Sequence, residues 1–185
     1  GGSGRLGSEL VALLPALRTA RGDTISVHSP TRTELDVTDV ASFERAARSA
    51  AADVIVHGAA FTDVGGAERQ RARCWDVNVV GTRNAAAAAA ASGATLVHIS
   101  TDYVFWGDTG GYAESDTPGP VRNYYALTKL VAEEAARAAP DHVVIRTSFR
   151  PRTWPYPEAF ADVYTSQDYV DVIAPDIALA VAHSR

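Results

Sequence analysis

The sequence contains a single cysteine, Cys74, and no methionine among its 185 residues. One cysteine excludes an intrachain disulfide, and five histidines scattered singly do not form a Cys/His zinc site. No run approaches the ~18 apolar residues that cross a bilayer, and no charged segment followed by an apolar core marks a secretory signal. These absences predict a cytoplasmic protein that has no metal site and does not bind a membrane.

Basic charge is also scarce, with 17 Lys and Arg against 22 Asp and Glu and a net charge of -5. Because a nucleic-acid binder needs a basic face, we expect no nucleic-acid partner. A hydrophobic fraction of 46% is ordinary for a globular protein. At ~150 residues per domain, the length predicts one domain with a small appendage.

Short runs rich in Val and Ile alternate with longer helical stretches. The predicted strands cover residues 24–28, 54–57, 95–99 and 143–146. The predicted helices cover residues 8–14 (weakly continued to 19), 40–49, 74–92, 123–138 and 175–183. Apolar strands separated by helices are typical of a parallel sheet that is covered on both faces. The sequence therefore predicts a doubly wound, Rossmann-like α/β fold.

Several residues predict where the helices begin and end. Asp39 is a predicted N-cap, and Gly93 a left-handed end for the alanine-rich helix. Pro15 should end or kink the first helix, and Pro175 suits the first turn of the last one. Three prolines between residues 150 and 157 exclude regular helix or central strand there. We therefore predict a main domain over residues 1–148 and a short C-terminal lobe over 149–185.

The chain opens with a glycine-rich segment in which Gly1, Gly4 and Gly7 fit the pattern G-x-x-G-x-x-G. Glycines at this spacing let backbone amides approach a pyrophosphate, and the helix that follows offers its positive end to the anion. A flexible chain end has the same composition, but the immediate start of a helix favours a dinucleotide site. This motif needs a strand before it, and the initiator methionine is absent. We therefore expect an apolar strand upstream of Gly1.

The residues after the second predicted strand bear on the choice of cofactor. An acidic residue there would bind the ribose 2′-hydroxyl of NAD, but the sequence has none. Ser29, Thr31 and Arg32 can instead surround a 2′-phosphate, which favours NADP(H) over NAD(H). A solvated polar loop is the alternative interpretation. Asp36 and Val37 follow, and Asp36 places a carboxylate where the adenine amino group would lie.

Tyr125 and Lys129 lie on a predicted helix at spacing i, i+4, so both side chains share one face. An ammonium near a phenol favours the phenolate and moves its pKa towards the working range of an acid–base catalyst. Thr101 comes just after the third predicted strand. The small residues Gly58, Ala59 and Ala60 come directly after the second predicted strand, over residues 54–57. Because three strand ends and one helix converge on one crevice, a chance Tyr-x-x-x-Lys pair becomes the less favoured explanation.

Together these motifs resemble the extended short-chain dehydrogenase/reductase family, and within it the dTDP-4-dehydrorhamnose reductase branch. The resemblance covers residues 1 to about 148 in family order. The segments that carry it are 1–10, 53–62, 78–82, 100–105, 125–129 and 145–148.

The resemblance implies hydride transfer from a nicotinamide to the keto group of a nucleotide-sugar or a related small carbonyl compound. Tyr125 would donate the proton, Lys129 would bind the nicotinamide ribose and tune Tyr125, and Thr101 would polarise the carbonyl. Asn78 would hold the junction between sheet and helix. The expected cofactor contacts are Gly1, Gly4, Arg5, Leu6, Gly7, Ser29, Arg32, Asp36, Val37, Gly58, Ala59, Ala60, Asn78, Tyr125 and Lys129.

The chain also departs from this branch. Only 37 residues follow Ser148, where the branch carries a longer substrate domain, and Trp106 replaces a small or acidic residue. One interpretation of the C-terminal segment is a site for an anionic, stackable group such as a nucleotide, formed by Arg150, Arg152, Trp154 and Tyr156. The alternative is that Trp154 and Tyr156 only cover the exposed sheet edge. Two other functions therefore stay open: a catalytically silent nucleotide-binding regulatory subunit, and a nucleotide-sugar epimerase that holds NAD. A homodimer formed through helices is compatible with the family.

Overall fold

The computed structural model describes residues 1–154, 156–158 and 165–185. The helices are α1 (Arg5–Leu13), α2 (Val40–Ala50), α3 (Val64–Arg69), α4 (Arg71–Trp75), α5 (Gly81–Ser92), α6 (Tyr124–Ala136) and α7 (Val170–Ala182). The strands are β1 (Val54–His57), β2 (Thr95–Thr101), β3 (His142–Thr147), β4 (Phe149–Arg150) and β5 (Asp168–Tyr169). Within these residues, every helix is too short or too polar to traverse a bilayer.

The core of the molecule is a parallel sheet in the order β1-β2-β3, with β2 buried along its whole length. Side chains of β2 alternate between two apolar clusters. Val97 and Ile99 pack with α1 and α7 on one face, and Leu96 packs with α2 and α5 on the other. A separate two-stranded parallel pair joins β4 to β5. Helices on both faces of a parallel sheet confirm the predicted Rossmann-like fold.

The predicted strand over residues 24–28 is absent from the described structure, where Thr24 makes only an isolated bridge to Arg18. The expected alternation is nevertheless present. Ile25 and Val27 are half-buried against the cluster around α1, whereas Ser26 and His28 are exposed. A strand exists only where a neighbour supplies ladder hydrogen bonds, and β1 pairs with β2 alone in the described residues. The prediction was wrong because pairing is not encoded in the segment itself.

The predicted helix ends agree with the structure at three positions. Asp39 caps α2 by accepting a hydrogen bond from the Ala41 amide at 3.0 Å. Gly93 ends α5 with a φ of 69°, a left-handed conformation that glycine adopts without strain. Pro15 ends α1, because the chain tightens into a 3₁₀ turn over Leu14–Ala16.

The single helix predicted over residues 74–92 is instead a series of shorter elements. Helices α3 and α4 begin earlier, and a π turn over Asp76–Val80 separates α4 from α5. The π turn brings Asn78 inwards, where its side chain makes four hydrogen bonds. Such turns arise from tertiary contacts rather than from local propensity, so periodicity alone did not reveal this one.

Helix α7 begins at Val170, five residues before the predicted start, so that Pro175 lies inside the helix rather than in its first turn. A proline in a helix interior costs about 3 kcal/mol. Burial of Val170, Ala174 and Ile177 against α1 offsets this cost. Helix α7 therefore shares a core with the first helix of the chain, and the predicted domain boundary at Ser148 stays a prediction.

The alanines of α5 allow close packing on the sheet, and we expect Ala89→Leu to destabilise the protein. Ala89 is fully buried among α2, β2 and α6 residues, so added methylenes have no space and should cost about 1–3 kcal/mol of unfolding free energy. Ala87→Leu is the matched control on the exposed face of the same helix and should change stability by less than about 0.5 kcal/mol. Equal urea midpoints for the two variants would contradict this packing.

Candidate active site

The glycine-rich segment forms a tight turn into α1. The Gly4 amide donates to the Gly1 carbonyl at 3.0 Å, and a Cβ on Gly7 would overlap that same carbonyl oxygen. A Cβ on Gly1 would lie 2.6 Å from the backbone of Gly58 and Ala59. The loop therefore contacts the end of β1 so closely that only glycine fits. Sequence analysis predicted this convergence.

Helix α1 offers unoccupied amides at its start. Gly4 is the N-cap and has no side chain to accept a hydrogen bond. The Ser8 amide already bonds the Gly4 carbonyl at 2.9 Å, whereas those of Arg5, Leu6 and Gly7 have no backbone acceptor in the described residues. Free amides and the helix dipole together favour an anion at this position. The predicted pyrophosphate contacts are therefore sterically and electrostatically suitable.

The residues predicted to select the cofactor have different surroundings in the structure. Ser29 packs against it, because a Cβ on Gly2 would overlap the Ser29 hydroxyl. Arg32 is exposed. One oxygen of Asp36 accepts hydrogen bonds from the amide and hydroxyl of Thr38, which lowers the pKa of this carboxyl. Val37 packs against Gly81 at the start of α5.

Thr101 and Tyr125 come together at the carboxyl end of β2. Thr101 is the last residue of that strand, and its hydroxyl donates to the Asp102 carboxylate at 3.2 Å. Asn123 starts α6 by accepting from the Ala126 amide at 2.8 Å, which places Tyr125 in the first helical turn. The Tyr125 phenol lies close to the Thr101 hydroxyl. The predicted pairing of strand end and helix face is therefore present.

Burial raises the pKa of the Tyr125 phenol to about 12, and the nearby Thr101 hydroxyl acts in the opposite direction. The nearby Asp102 carboxylate raises it further. Burial also raises the pKa of Asp102 itself. A neutral phenol is the form that donates a proton, so Tyr125 is in the correct protonation state for a general acid.

Lys129 is the only lysine in the chain, and it is almost completely buried. Its ammonium donates to the Ile99 carbonyl at 2.7 Å and to Nε2 of His98 at 3.4 Å. Burial lowers the pKa of Lys129 to about 8, and Glu133 on the next turn of α6 partly opposes this change. The ammonium therefore contacts residues of β2 and does not contact the Tyr125 phenol. The expected tuning of Tyr125 by Lys129 is not among the interactions seen here and stays a prediction.

Asn78 ties the π turn to both sides of the site. Its amide oxygen accepts from the Phe61 amide at 2.7 Å, and its amide nitrogen donates to Thr128 on α6 at 2.9 Å. The side chain is buried and has further contacts with Cys74 and with the Phe61 carbonyl. Asn78 thus holds the segment after β1 against α6, as the resemblance implied, and its polar atoms are occupied by protein groups.

Sequence analysis missed a layer of buried polar residues beneath the site. Glu133 on α6 binds Arg146 of β3 at 2.8 Å and Ser100 of β2 at 2.6 Å. His57 and His98 stack with ring centroids 5.7 Å apart. Polar residues in strands that are otherwise apolar could have indicated this layer, as could the i, i+4 spacing of Lys129 and Glu133.

Aromatic and basic residues surround the carboxyl edge of the sheet. The Arg122 guanidinium lies 4.4 Å from the centre of the Trp106 ring, and that of Arg150 lies 5.0 Å from the Trp154 ring. Arg152 binds Glu9 of α1 through two hydrogen bonds of 2.7 and 2.6 Å. The segment after β4 therefore lies beside the first helix, and the two interpretations of Arg150 and Trp154 both remain open.

Comparison with known proteins identifies the family of this site. The model of the RmlD substrate binding domain matches residues 1–171. The chain belongs to this family. It is 39% identical over 191 aligned positions to a dTDP-4-dehydrorhamnose reductase of Mycobacterium tuberculosis. The match covers 100% of this chain and 56% of that protein, so the chain spans a little over half the length of this relative.

Two solved structures share the fold. A dTDP-4-dehydrorhamnose reductase of Bacillus anthracis in complex with NADP superposes with a TM-score of 0.74 and 30% identity, over 83% of this chain and 54% of that one. RMD of Pseudomonas aeruginosa in complex with NADPH gives a TM-score of 0.67 and 29% identity, over 82% and 53%. These similarities confirm the resemblance that the motifs indicated.

The burial of Lys129 should appear as a pH dependence of stability. Because its pKa is about 8 when folded and 10.5 ordinarily, the unfolded chain binds more protons between these pH values. The stability of the wild type relative to Lys129→Met should therefore rise with pH across this window, by about 3 kcal/mol at most. Urea denaturation of both proteins at several pH values measures the difference. Parallel pH profiles would contradict the buried ammonium.

Proposed function

We propose that the protein reduces the keto group of a nucleotide-sugar, dTDP-4-dehydrorhamnose or a close relative, with NADPH as hydride donor. The observation that carries this proposal is the juxtaposition of the Thr101 hydroxyl and the Tyr125 phenol at the carboxyl end of β2. The glycine-rich turn closes on the end of the neighbouring strand β1. Dinucleotides bind at this edge in open α/β sheets.

The residues of the chain have distinct parts in this reaction. A bound nicotinamide supplies two electrons and a hydrogen to the carbonyl carbon. The carbonyl oxygen gains negative charge, and the Thr101 hydroxyl would rotate away from Asp102 to donate a hydrogen bond to it. Tyr125 then gives its proton to that oxygen, which completes the alcohol and leaves a phenolate. At neutral pH the Tyr125 phenol is protonated, as an ordinary tyrosine is, so its proton is present before hydride transfer.

Lys129 is proposed to bind the nicotinamide ribose and to stabilise the Tyr125 phenolate. Its buried ammonium lies one helical turn beyond Tyr125 on α6. An ammonium in a site of low dielectric interacts strongly with a nearby phenolate. The charge of Lys129 would therefore have its greatest effect after the proton has left Tyr125.

NADPH is the preferred cofactor in this proposal. Ser29 lies against the glycine-rich turn and Arg32 is exposed close by in sequence, so a 2′-phosphate has both a hydroxyl and a guanidinium available. The solved relatives from Bacillus anthracis and Pseudomonas aeruginosa are complexes with NADP and NADPH. The cytoplasmic location and the homodimer stay predictions.

Replacement of Tyr125 by Phe tests the catalytic role directly. We expect Tyr125→Phe to lower kcat by about 10²–10⁴-fold, because the general acid is lost, while NADPH affinity changes little. Tyr124→Phe is a matched control one position away, since the Tyr124 ring packs on Arg71. NADPH oxidation with dTDP-4-dehydrorhamnose gives kcat, and nicotinamide fluorescence gives affinity. Full activity of Tyr125→Phe would refute the assignment; a wild type that binds NADPH without turnover would favour a silent regulatory subunit.

Replacement of Arg32 by Ala tests the choice of cofactor. A charge-assisted contact with phosphate contributes about 1.5–3 kcal/mol, so NADPH affinity should fall about 10–100-fold while NADH affinity is unchanged. Arg21→Ala removes a comparable exposed charge from the preceding turn and serves as the control. Equal losses for both cofactors would show that Arg32 does not recognise the 2′-phosphate.

A further inference from the structure

The layer of buried polar residues contains a contact to which the proposed mechanism gives no role. His98 is fully buried in the centre of β2, on the face that α6 covers. Its Nε2 atom lies 3.4 Å from the Lys129 ammonium. Its Nδ1 atom has no hydrogen-bond partner in the described part of the chain.

The contact fixes which nitrogen of His98 carries the proton. An ammonium only donates, so Nε2 must accept and the proton of the neutral ring must lie on Nδ1. That proton points at no acceptor, and a buried unsatisfied donor costs about 1–3 kcal/mol. A leucine would pack here without this cost. The protein therefore bears an energetic penalty in order to present a neutral acceptor to its only lysine.

We propose that His98 is a positioning residue, which holds the ammonium of Lys129 at the carboxyl end of β2 together with the Ile99 carbonyl. This inference rests on the proposed function, because it assumes that Lys129 serves the cofactor. With the Ile99 carbonyl as its single acceptor, the ammonium could still rotate about that one hydrogen bond. Two acceptors from neighbouring residues of β2 fix its position two residues before Thr101.

Other charged and titratable groups around Lys129 are compatible with this role. Glu133 on α6 favours the ammonium but is already bound by Arg146 and Ser100. Cys74 of α4 is also nearby, but burial raises the pKa of its thiol, so it carries no charge at neutral pH. His57 of β1 stacks on His98, and burial lowers its pKa to about 3, so it adds no positive charge at neutral pH.

Removal of the acceptor should change the titration of Lys129. The ammonium donates to His98 more strongly than the neutral amine would, so loss of this contact disfavours the ammonium and lowers the pKa of Lys129. With one lysine in the chain, lysine-selective isotope labelling gives a single side-chain NMR signal. The titration of that signal reports the pKa of Lys129 without any assay of activity.

The experiment compares His98→Leu, which removes the acceptor, with His98→Gln, whose amide reaches the position of Nε2. His142→Leu is the control, because that histidine lies on the neighbouring strand and contacts the Ala139 carbonyl instead of Lys129. We expect the pKa of Lys129 to fall by about one unit in His98→Leu, tenfold in proton affinity, and to stay near the wild-type value in His98→Gln and His142→Leu. The alkaline loss of NADPH binding should move to lower pH only in His98→Leu.

The outcomes separate this inference from the proposed function. An unchanged Lys129 titration in His98→Leu would overturn the positioning role, as would a shifted titration with an unmoved NADPH binding profile. A wild type that fails to bind NADPH would instead refute the proposed function, and the NMR titration would still show whether the contact exists. If His98→Leu does not fold, His98→Phe, which also lacks an acceptor, takes its place, and an unchanged Lys129 titration in that variant would overturn the positioning role.

Discussion

The contact between α6 and β2 determines the rest of the site. It places Tyr125 beside Thr101, and one turn later it buries Lys129 against the Ile99 carbonyl. A further turn brings Glu133 onto Ser100 at 2.6 Å. Because three successive turns of α6 each contact one of the last three residues of β2, a small shift of α6 would disturb all three contacts. The helix can lie this close since Ala126, Ala132 and Ala136 carry only a methyl group at the contact.

Buried charge makes this contact specific and costly. Lys129 and Glu133 are almost completely withdrawn from water, and burial of an ion costs several kcal/mol unless it is well paired. Glu133 recovers this cost through Arg146, which donates from both Nε and Nη2. Within the described part of the chain, Lys129 has no carboxylate at hydrogen-bonding distance and depends on a carbonyl and an imidazole. Burial therefore lowers the pKa of Lys129, and the nearby charge of Glu133 opposes this change only in part.

Sequence analysis predicted those features that depend on local spacing. The i, i+4 relation of Tyr125 and Lys129 placed both on one helix, and the strand before Thr101 placed its hydroxyl at the sheet edge. Gly7 and Gly93 occupy positions where the backbone allows no other residue without strain. These features are encoded within a few residues of chain, so a single sequence is sufficient to predict them.

The features that depend on distant partners were not predictable in this way. The alternation over residues 24–28 is correct, but pairing depends on a neighbouring strand. The π turn depends on Phe61 and Thr128, which lie 17 and 50 residues from Asn78. The orientation of the Lys129 side chain depends on two acceptors in β2, the Ile99 carbonyl and the His98 ring.

The residues that break local rules are concentrated beneath the candidate site. His57 and His98 keep one nitrogen each without a partner in the described residues, in strands where apolar side chains would pack at lower cost. The only lysine of the chain is buried beside them instead of being solvated. A protein that kept the fold only as a scaffold would have no reason to retain three such penalties within one layer. Their concentration beneath the candidate site supports the proposed catalytic role rather than the alternative of a silent nucleotide-binding subunit.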